Sequence, residues 1–263
     1  AFIAAGVESM TRVPMGGFNP SANPELLQSY PEVYMAMGHT AEEVARRFAV
    51  SREEQDEFAV LSHAKAAKAR AAGLLAEEII PVHTPDGVVT EDGCIRPGTN
   101  LESLAQLKPA FGGLVTAGTA SPLTDGSAAG LVCTEAFARQ HGLPMLARIK
   151  AVAVGGCAPE IMGMGPVEAT RKVLDRAGLS INDVDLMEIN EAFSSQSIAC
   201  LRELDMPLER VNLDGGALAL GHPLGATGAR ITGKAAALLQ RTGGRYAIAT
   251  QCIAGGQGVA TLL

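Results

Sequence analysis

The 263-residue chain has no tryptophan, few aromatic residues and no long run of apolar residues. Aromatic residues make up 4% of it, charged residues 19% and hydrophobic residues 47%, a composition typical of a globular protein. Because every apolar run is well short of the roughly 20 residues that a membrane helix needs, we predict no membrane span. A net charge of −7 argues against nucleic acid as a partner, since phosphate binding favours a basic surface.

The chain also lacks the residue spacings that bind metals. None of its five cysteines lies in a CxxC pair or near a histidine-rich segment, so we predict neither a metal site nor a disulfide framework. An odd number of cysteines, with no signal peptide recognisable, is typical of a reducing compartment. We therefore expect a cytoplasmic protein with chemically usable thiols. The cysteines are Cys94, Cys133, Cys157, Cys200 and Cys252.

Glycine is abundant, and its densest cluster, residues 215–228, surrounds a single histidine, His222. Glycine adopts positive φ angles and lets other chain segments approach closely, so this density indicates a tightly folded loop. Pro223 disfavours helical geometry at His222, whereas the residues from Ala229 onward have helical spacing. The sequence therefore places His222 on a constrained loop that opens a helix.

Helix signals in the first half of the chain are separated by irregular stretches. Thr40 to Glu43 and Ser51 to Glu54 have the spacing of capping boxes, which predicts one helix through Phe48 and a longer one ending near Gly73. A short apolar run predicts a strand at 79–82. Residues 114–129 are typical of a strand that runs into a ligand-facing loop and then a helix.

Beyond Gly142 the pattern becomes regular. Helices and strands alternate there, which predicts a layered α/β domain and places the best domain boundary at 142–144. The predicted strands are 146–154, 184–189, 246–252 and 259–263, and the predicted helices are 166–177, 193–204 and 229–239.

Three of the loops carry polar residues that could share a site: Asn190, His222 and Cys252. Taken singly, Asn190 could cap a helix, His222 could be a structural histidine, and Cys252 could be a small buried apolar residue. Taken together, the three residues favour a shared site, because strand ends in an α/β sheet converge on one edge. A thiol, an imidazole and an amide donor at such an edge suit acyl transfer.

Longer motifs around these residues resemble the thiolase family in the family's own order. The C-terminal motifs are Asn190–Phe193, Gly215–Arg230 and Cys252–Gly258. Earlier segments at 6–10, 37–42 and 115–126 are also similar to family segments. Residues 151–166, together with Ala36 where the short-chain biosynthetic branch has histidine, resemble the 3-ketoacyl-CoA thiolases of fatty-acid β-oxidation.

This resemblance implies a fold of two similar halves in α-β-α-β-α layers, with an inserted irregular loop domain. Residues 1–142 would be a remnant of the N-terminal half, including the loop domain at about 8–112, and residues 143–263 would be the C-terminal half. The resemblance also implies a homodimer, associated with other β-oxidation enzymes.

The implied activity is that of an acyl-CoA:acetyl-CoA C-acyltransferase, which cleaves a 3-ketoacyl-CoA with CoA or runs the reverse Claisen condensation. Coenzyme A and acetyl-CoA are then substrates, and no resident cofactor is expected. On matching positions, His222 would activate a nucleophilic cysteine and help to polarise the thioester oxygen. Cys252 would move the proton at the substrate α-carbon, and Asn190 would hold a water in the oxyanion site.

The resemblance also implies substrate-contacting residues. Ser121 and Ala120 would line the path of the pantetheine arm, and Met37 would lie near the acyl end. The backbone at Ala254 and Gly255 would serve the oxyanion loop, although the family normally has glycine where this chain has Ala254. A Cβ at that position would disfavour a positive φ.

A second departure concerns the nucleophile. The family's nucleophilic cysteine precedes the strand that opens this chain, and no cysteine here matches it. We therefore expect an incomplete first half, with the missing part on a longer gene product or on a second polypeptide. Two alternatives stay open: a catalytically inactive thiolase fragment or scaffold that retains CoA binding, and a Cys–His hydrolase with Cys252 as its nucleophile.

Overall fold

The computed structural model describes residues 1–263 and contains eight β-strands and nine α-helices. The strands are β1 (Phe2–Ser9), β2 (Val82–Thr84), β3 (Gly87–Val89), β4 (Asp125–Val132), β5 (Ala151–Gly156), β6 (Leu186–Ile189), β7 (Ala247–Ile253) and β8 (Gln257–Leu262). The helices are α1 (Pro24–Ser29), α2 (Met37–Arg47), α3 (Arg52–Ala71), α4 (Leu101–Ala105), α5 (Glu135–Gln140), α6 (Gly165–Ala177), α7 (Ser194–Glu203), α8 (Ala217–Leu220) and α9 (Thr227–Thr242).

The main sheet has the strand order β5-β8-β7-β6, in which β6 and β7 are parallel and β8 runs antiparallel to both of its neighbours. Helix α6 packs on β5, β8 and β7. Helix α9 packs on β6 and β7 of this sheet and also on the separate antiparallel pair β1–β4. A helix layer thus lies between two sheets, which confirms the predicted layered α/β fold.

The apolar side chains of β6 are divided between two apolar clusters, because successive residues of a strand point to opposite faces. Met187 and Ile189 belong to the larger cluster, which includes Val173 of α6. Leu186 belongs to a second cluster with Ile231 of α9. All of β6 is therefore buried, which fixes the position of Asn190 just beyond its end.

The β1–β4 pair faces the histidine loop with small residues. A Cβ at Gly6 would lie 1.8 Å from the carbonyl oxygen of Gly225, and one at Gly126 would lie 3.0 Å from the Pro223 ring. Other positions of this pair leave large apolar side chains exposed, including Ile3 and Val7. The close glycine contacts bring the β1–β4 sheet directly against the loop that carries His222.

The helix signals that involve local caps are found where the sequence places them. Ser51 Oγ accepts a hydrogen bond from the Glu54 amide at 3.2 Å, and the Glu54 carboxylate accepts one from the Ser51 amide at 2.8 Å. Helix α6 has Pro166 in its first turn and ends at Gly178, whose φ of 65° is left-handed. The predicted start of α3 at the Ser51 cap and the predicted end of a helix at residue 177 are confirmed.

Replacement of Ser51 by Ala removes the side-chain half of the α3 cap. We expect the free energy of unfolding to fall by about 1 kcal/mol, because a first-turn amide loses its acceptor. Urea denaturation measures this change, with Ser21→Ala at an exposed site outside every helix and strand as the control. A Ser51→Ala protein as stable as the control would contradict this account of the cap.

Four local predictions are wrong, among them the strand predicted at 146–154, which begins only at Ala151 and ends at Gly156. Thr40 does not cap a helix, since α2 begins at Met37 and the Thr40 hydroxyl donates to the Met37 carbonyl oxygen at 2.7 Å within the first turn. The strand predicted at 79–82 begins only at Val82, where pairing with β3 becomes possible. Around 114–129 the order is reversed, because the polar loop comes first and β4 follows as the partner of β1.

Candidate active site

His222 lies between α8 and α9, on the loop that the glycines indicate. Gly221, directly before it, has a φ of 95°, and a Cβ there would lie 2.6 Å from the Thr124 side chain. Both the backbone angle and the crowding therefore require glycine at this position. The His222 amide donates to Thr124 Oγ1 at 3.2 Å, which ties the loop to the segment before β4.

Both ring nitrogens of His222 have polar partners. Nδ1 lies 2.6 Å from Thr227 Oγ1, and Nε2 lies 3.2 Å from Asn190 Nδ2. The Thr227 hydroxyl donates to the Pro223 carbonyl oxygen at 3.0 Å, so we assign it as the acceptor of an Nδ1–H. Nε2 then carries the lone pair and accepts from the Asn190 amide, as a proton acceptor should.

The surroundings of His222 favour its neutral form. Burial, followed by the positive charge of Arg230, lowers the pKa of the imidazole from 6.5 to about 4. The ring is therefore uncharged at neutral pH, and its Nε2 lone pair is available. The sequence does not reveal this effect, because Arg230 lies one turn into α9 and reaches the histidine only through the fold.

The lowered pKa predicts how stability depends on pH. Below pH 6.5 the unfolded chain takes up a proton at His222, whereas the folded chain does so only near pH 4. The neutral imidazole's contribution to the free energy of unfolding is fully present above pH 6.5. It is lost as the pH falls toward 4, by about 3 kcal/mol in total.

Unfolding by urea at several pH values, compared between the unaltered protein and His222→Asn, isolates this contribution. The variant should show a shallower loss of stability between pH 6.5 and pH 4. An NMR titration should place the His222 ring near pH 4. A midpoint at or above 6.5 would contradict the buried neutral imidazole.

Asn190 is fully buried at the end of β6. Its backbone N–H continues the β6–β7 ladder by donating to the Thr250 carbonyl oxygen at 2.9 Å. Its side-chain oxygen Oδ1 has no hydrogen-bond partner. The sheet therefore holds the side-chain amide of Asn190 rigidly against His222, which is the geometry that a preorganised hydrogen-bond donor requires.

Ser121 and Ala120 lie beside the Asn190 motif. The Ser121 amide donates to the Ala192 carbonyl oxygen at 2.9 Å, and Ala120 forms an isolated β-bridge with Phe193. Since Thr124 of the same loop bonds to His222, the segment 119–124 spans from one motif to the other. The fold thus brings these two predicted substrate contacts to the edge of the His222–Asn190 pair.

Met37 occupies the first position of α2 and is connected to the site indirectly. Gly38, next to it, packs under the Phe111 ring, where a Cβ would lie 2.3 Å from ring atoms. Phe111 in turn meets the Phe193 ring edge to face, with centroids 6.2 Å apart. The Phe111–Phe193 pair therefore links the start of α2 to the end of the Asn190–Phe193 motif.

Cys252 lies near the end of β7, paired with Gly258 of β8. Burial raises the pKa of its thiol to about 12, so the group is protonated at neutral pH. The turn beyond it contains Ala254 and Gly255, both exposed. Gly255 has a φ of 83°, whereas Ala254 is not among the residues with positive φ. The Cβ of Ala254 is therefore accommodated without strain.

The remaining thiols are in other environments. Cys200 is fully buried, and burial raises its pKa far above its ordinary value. Burial also raises the pKa of Cys157 to about 11. The nitrogens of His222 bond to Asn190 and Thr227 rather than to any of the five thiols.

Sequence reasoning missed several residues that shape this site. Thr227 orients the imidazole, Thr124 anchors the loop, and Arg230 contributes the positive charge. Glu191 was part of a recognised motif, yet nothing in the sequence assigned it a role. The position of Thr227, one turn beyond His222 at the start of a helix, was the only local signal, and a threonine there also suits an ordinary helix start.

The layered α/β fold and the neutral histidine held against a strand-end amide define a class of protein whose site can perform proton-transfer and acyl-transfer chemistry. The chain belongs to the thiolase family: the family model of the thiolase N-terminal domain matches residues 1–136, and that of the C-terminal domain matches residues 143–263.

Similar proteins agree with this assignment. The 3-ketoacyl-CoA thiolase of Bacillus subtilis is 46% identical over an alignment of 273 residues, gaps included, which covers 98% of this chain and 70% of the relative. The 3-oxoadipyl-CoA/3-oxo-5,6-dehydrosuberyl-CoA thiolase of Escherichia coli is 47% identical over an alignment of 288 residues, which covers 99% of this chain and 71% of the relative. The crystal structure of the dimeric peroxisomal thiolase of Saccharomyces cerevisiae superimposes with a TM-score of 0.91 at 42% identity. The match covers 99% of this chain and 67% of the yeast chain.

Proposed function

We propose that this chain provides the acid–base centre of an acyl-CoA:acetyl-CoA C-acyltransferase. The enzyme cleaves a 3-ketoacyl-CoA with CoA to give acetyl-CoA and an acyl-CoA two carbons shorter, or runs the reverse condensation. The observation that carries the proposal is the contact of 3.2 Å between Asn190 Nδ2 and His222 Nε2, in which His222 is a neutral base. Its thiolase relatives are named for 3-ketoacyl-CoA and related 3-oxoacyl-CoA substrates.

In the proposed reaction His222 Nε2 first takes the proton of the acyl-accepting thiol. The resulting thiolate attacks C3 of the ketoacyl group, and the new imidazolium Nε2–H can donate to an oxyanion of the substrate. Thr227 supports this change because it accepts from Nδ1–H in both charge states. Asn190 Nδ2 supplies a second donor, directly or through a water.

Cys252 acts in the step that breaks the C2–C3 bond. The electron pair of that bond passes to C2 of the leaving acetyl-CoA, and the Cys252 thiol donates the proton that C2 needs. The proton of an incoming CoA thiol then restores Cys252 while CoA sulfur takes the acyl group, and the released cysteine thiolate recovers its proton from the His222 imidazolium. A pKa of about 12 keeps Cys252 protonated before this step.

The remaining predicted contacts complete the substrate path. Ser121 and Ala120 are proposed to line the pantetheine arm, since the loop that carries them bonds to Ala192 and Phe193. Met37 is proposed to lie at the acyl end, and the backbone at Ala254 and Gly255 beside the second oxyanion. CoA and acetyl-CoA are the substrates, and no resident cofactor or metal is part of the proposal.

The setting of the enzyme is also proposed. His222 bonds to none of the five thiols, and we assign the role of acyl-accepting cysteine to none of them. A homodimer is supported by the dimeric yeast relative. Five free thiols suit the reducing cytoplasm, where other β-oxidation enzymes are candidate partners. No helix of the chain is long and apolar enough to cross a bilayer.

Product analysis tests the proposal on the protein as its gene encodes it. Incubation with a 3-ketoacyl-CoA and CoA should yield acetyl-CoA and the shortened acyl-CoA in equal amounts, measured by mass spectrometry. Binding of CoA without either product would favour the inactive scaffold. Release of a free acid would favour the Cys–His hydrolase, a reading that the bonding of His222 to Asn190 and Thr227 already disfavours.

A further inference from the structure

Glu191 is a buried carboxylate that the proposed chemistry does not use. It directly follows Asn190, and only 2% of its surface is exposed. Its two oxygens accept three hydrogen bonds, from Ser62 Oγ at 2.6 Å, Asn212 Nδ2 at 2.7 Å and the Leu218 amide at 3.1 Å. A buried carboxylate with this many donors must have a definite task in the fold, since burying a charge is costly.

The three donors come from three separate segments. Ser62 lies on α3, Leu218 lies in α8 four residues before His222, and Asn212 lies in the turn before α8. Asn212 has a left-handed φ of 44° and also pairs through its side chain with both backbone groups of Ile189 at 2.9 Å. One carboxylate thus joins the end of β6, the approach to His222 and helix α3.

The surrounding contacts leave this arrangement little freedom. Ser62 Oγ accepts from the Gly216 amide at 3.1 Å, so the hydroxyl proton is the one directed at Glu191. A Cβ at Gly216 would lie 2.1 Å from the Glu191 carboxyl carbon, so only glycine fits there. The carboxylate therefore packs directly under the start of α8.

The hydrogen bonds favour the ionised form of Glu191, because all three partners donate to it. Burial has the largest effect and raises the pKa of this carboxyl above its ordinary value, while the bonds from Ser62, Asn212 and Leu218 oppose that rise. The ammonium of Lys65, one turn along α3 from Ser62, interacts favourably with the charge of Glu191. An amide could not replace this group, since its NH₂ would face a donor.

We propose that Glu191 is a positioning residue whose hydrogen-bonded carboxyl group sets the separation of Asn190 and His222. It is covalently next to Asn190 and is bonded to α8, which ends two residues before His222, so it fixes both members of the pair from one point. The consequence for turnover rests on the proposed function. The placement of the imidazole does not, and can be measured without any turnover.

The test is Glu191→Gln, with Asp214→Asn as the matched control. Asp214 is likewise a buried carboxylate, but it is bonded to Lys234 and Arg241 in the middle and last turn of α9 rather than to Ser62, Asn212 or Leu218. For Glu191→Gln we expect kcat for thiolysis to fall on the order of 10²-fold from misplacement, with KM close to that of the unaltered protein. For Asp214→Asn we expect lower stability without this separation of kcat from KM.

The ¹⁵N shifts of the His222 ring provide the second readout. Glu191→Gln should change them, whereas Asp214→Asn should leave them as they are. Unchanged shifts in a folded Glu191→Gln protein, or losses of kcat and stability that match those of Asp214→Asn, would overturn the positioning role. If the unaltered protein shows no thiolysis, the proposed function fails, and the ring shifts still decide whether Glu191 positions His222.

Discussion

Replacement of His222 by Asn should lower kcat for thiolysis by on the order of 10³-fold or more. The Asn side chain can still place a donor near Thr227 Oγ1, where Nδ1 of His222 now lies 2.6 Å away. It has no atom at the position of Nε2, so the proton acceptor beside Asn190 is lost. The variant therefore removes the base while retaining most of the loop's local bonding.

Steady-state kinetics with 3-ketoacyl-CoA and CoA measures this loss, with His83→Asn as the control. His83 is exposed on β2, away from the site, and its replacement should leave kcat unchanged. We expect the fall in kcat to exceed any change in KM, since the base acts in the transition state. A His222→Asn enzyme with more than about a tenth of the original kcat would exclude His222 as the general base.

Replacement of Cys252 by Ala should lower kcat by about 10²- to 10⁴-fold. The proton that C2 of acetyl-CoA receives would have no donor, while transfer of the acyl group from an acyl-CoA to the nucleophile, which breaks no C2–C3 bond, would persist. The most specific readout is hydrogen exchange, because the unaltered enzyme should incorporate deuterium at C2 of acetyl-CoA in heavy water. Cys252→Ala should abolish this incorporation.

Cys157→Ala is the matched control for this variant. Its thiol is half-buried, and its backbone amide donates to the Gly256 carbonyl oxygen at 2.8 Å in the turn that follows Cys252. Burial raises the pKa of both thiols, to about 11 for Cys157 and about 12 for Cys252. Equal losses of deuterium incorporation in the two variants would show that hydrogen exchange depends on the turn rather than on the Cys252 thiol.

The features that the sequence could predict are those with local causes. The Ser51 cap, the left-handed Gly178 and the constrained loop around His222 each follow from residues a few positions apart. The alternation of strands and helices beyond residue 142 likewise predicts the main sheet. Asn190 could be named as a site residue because it follows a predicted strand, and His222 because the glycines around it indicate a constrained loop.

The features that escaped prediction depend on contacts distant in sequence. Thr40 has the spacing of a cap, but α2 begins earlier and takes its hydroxyl into the first turn. The β4 strand follows the polar loop because β1, more than 110 positions away, provides its partner. The bonds of Glu191 to Ser62 and of Thr124 to His222 bridge 129 and 98 positions, distances over which sequence spacing carries no information.

A crystal structure of the protein with acetyl-CoA bound tests the central claim most directly. If His222 and Asn190 form the reacting centre, the thioester oxygen should lie about 3 Å from His222 Nε2, with Asn190 Nδ2 bonded to it or to a shared water. The pantetheine arm should then pass Ser121. A thioester bound elsewhere, with the His222–Asn190 contact still closed at 3.2 Å, would contradict the assignment.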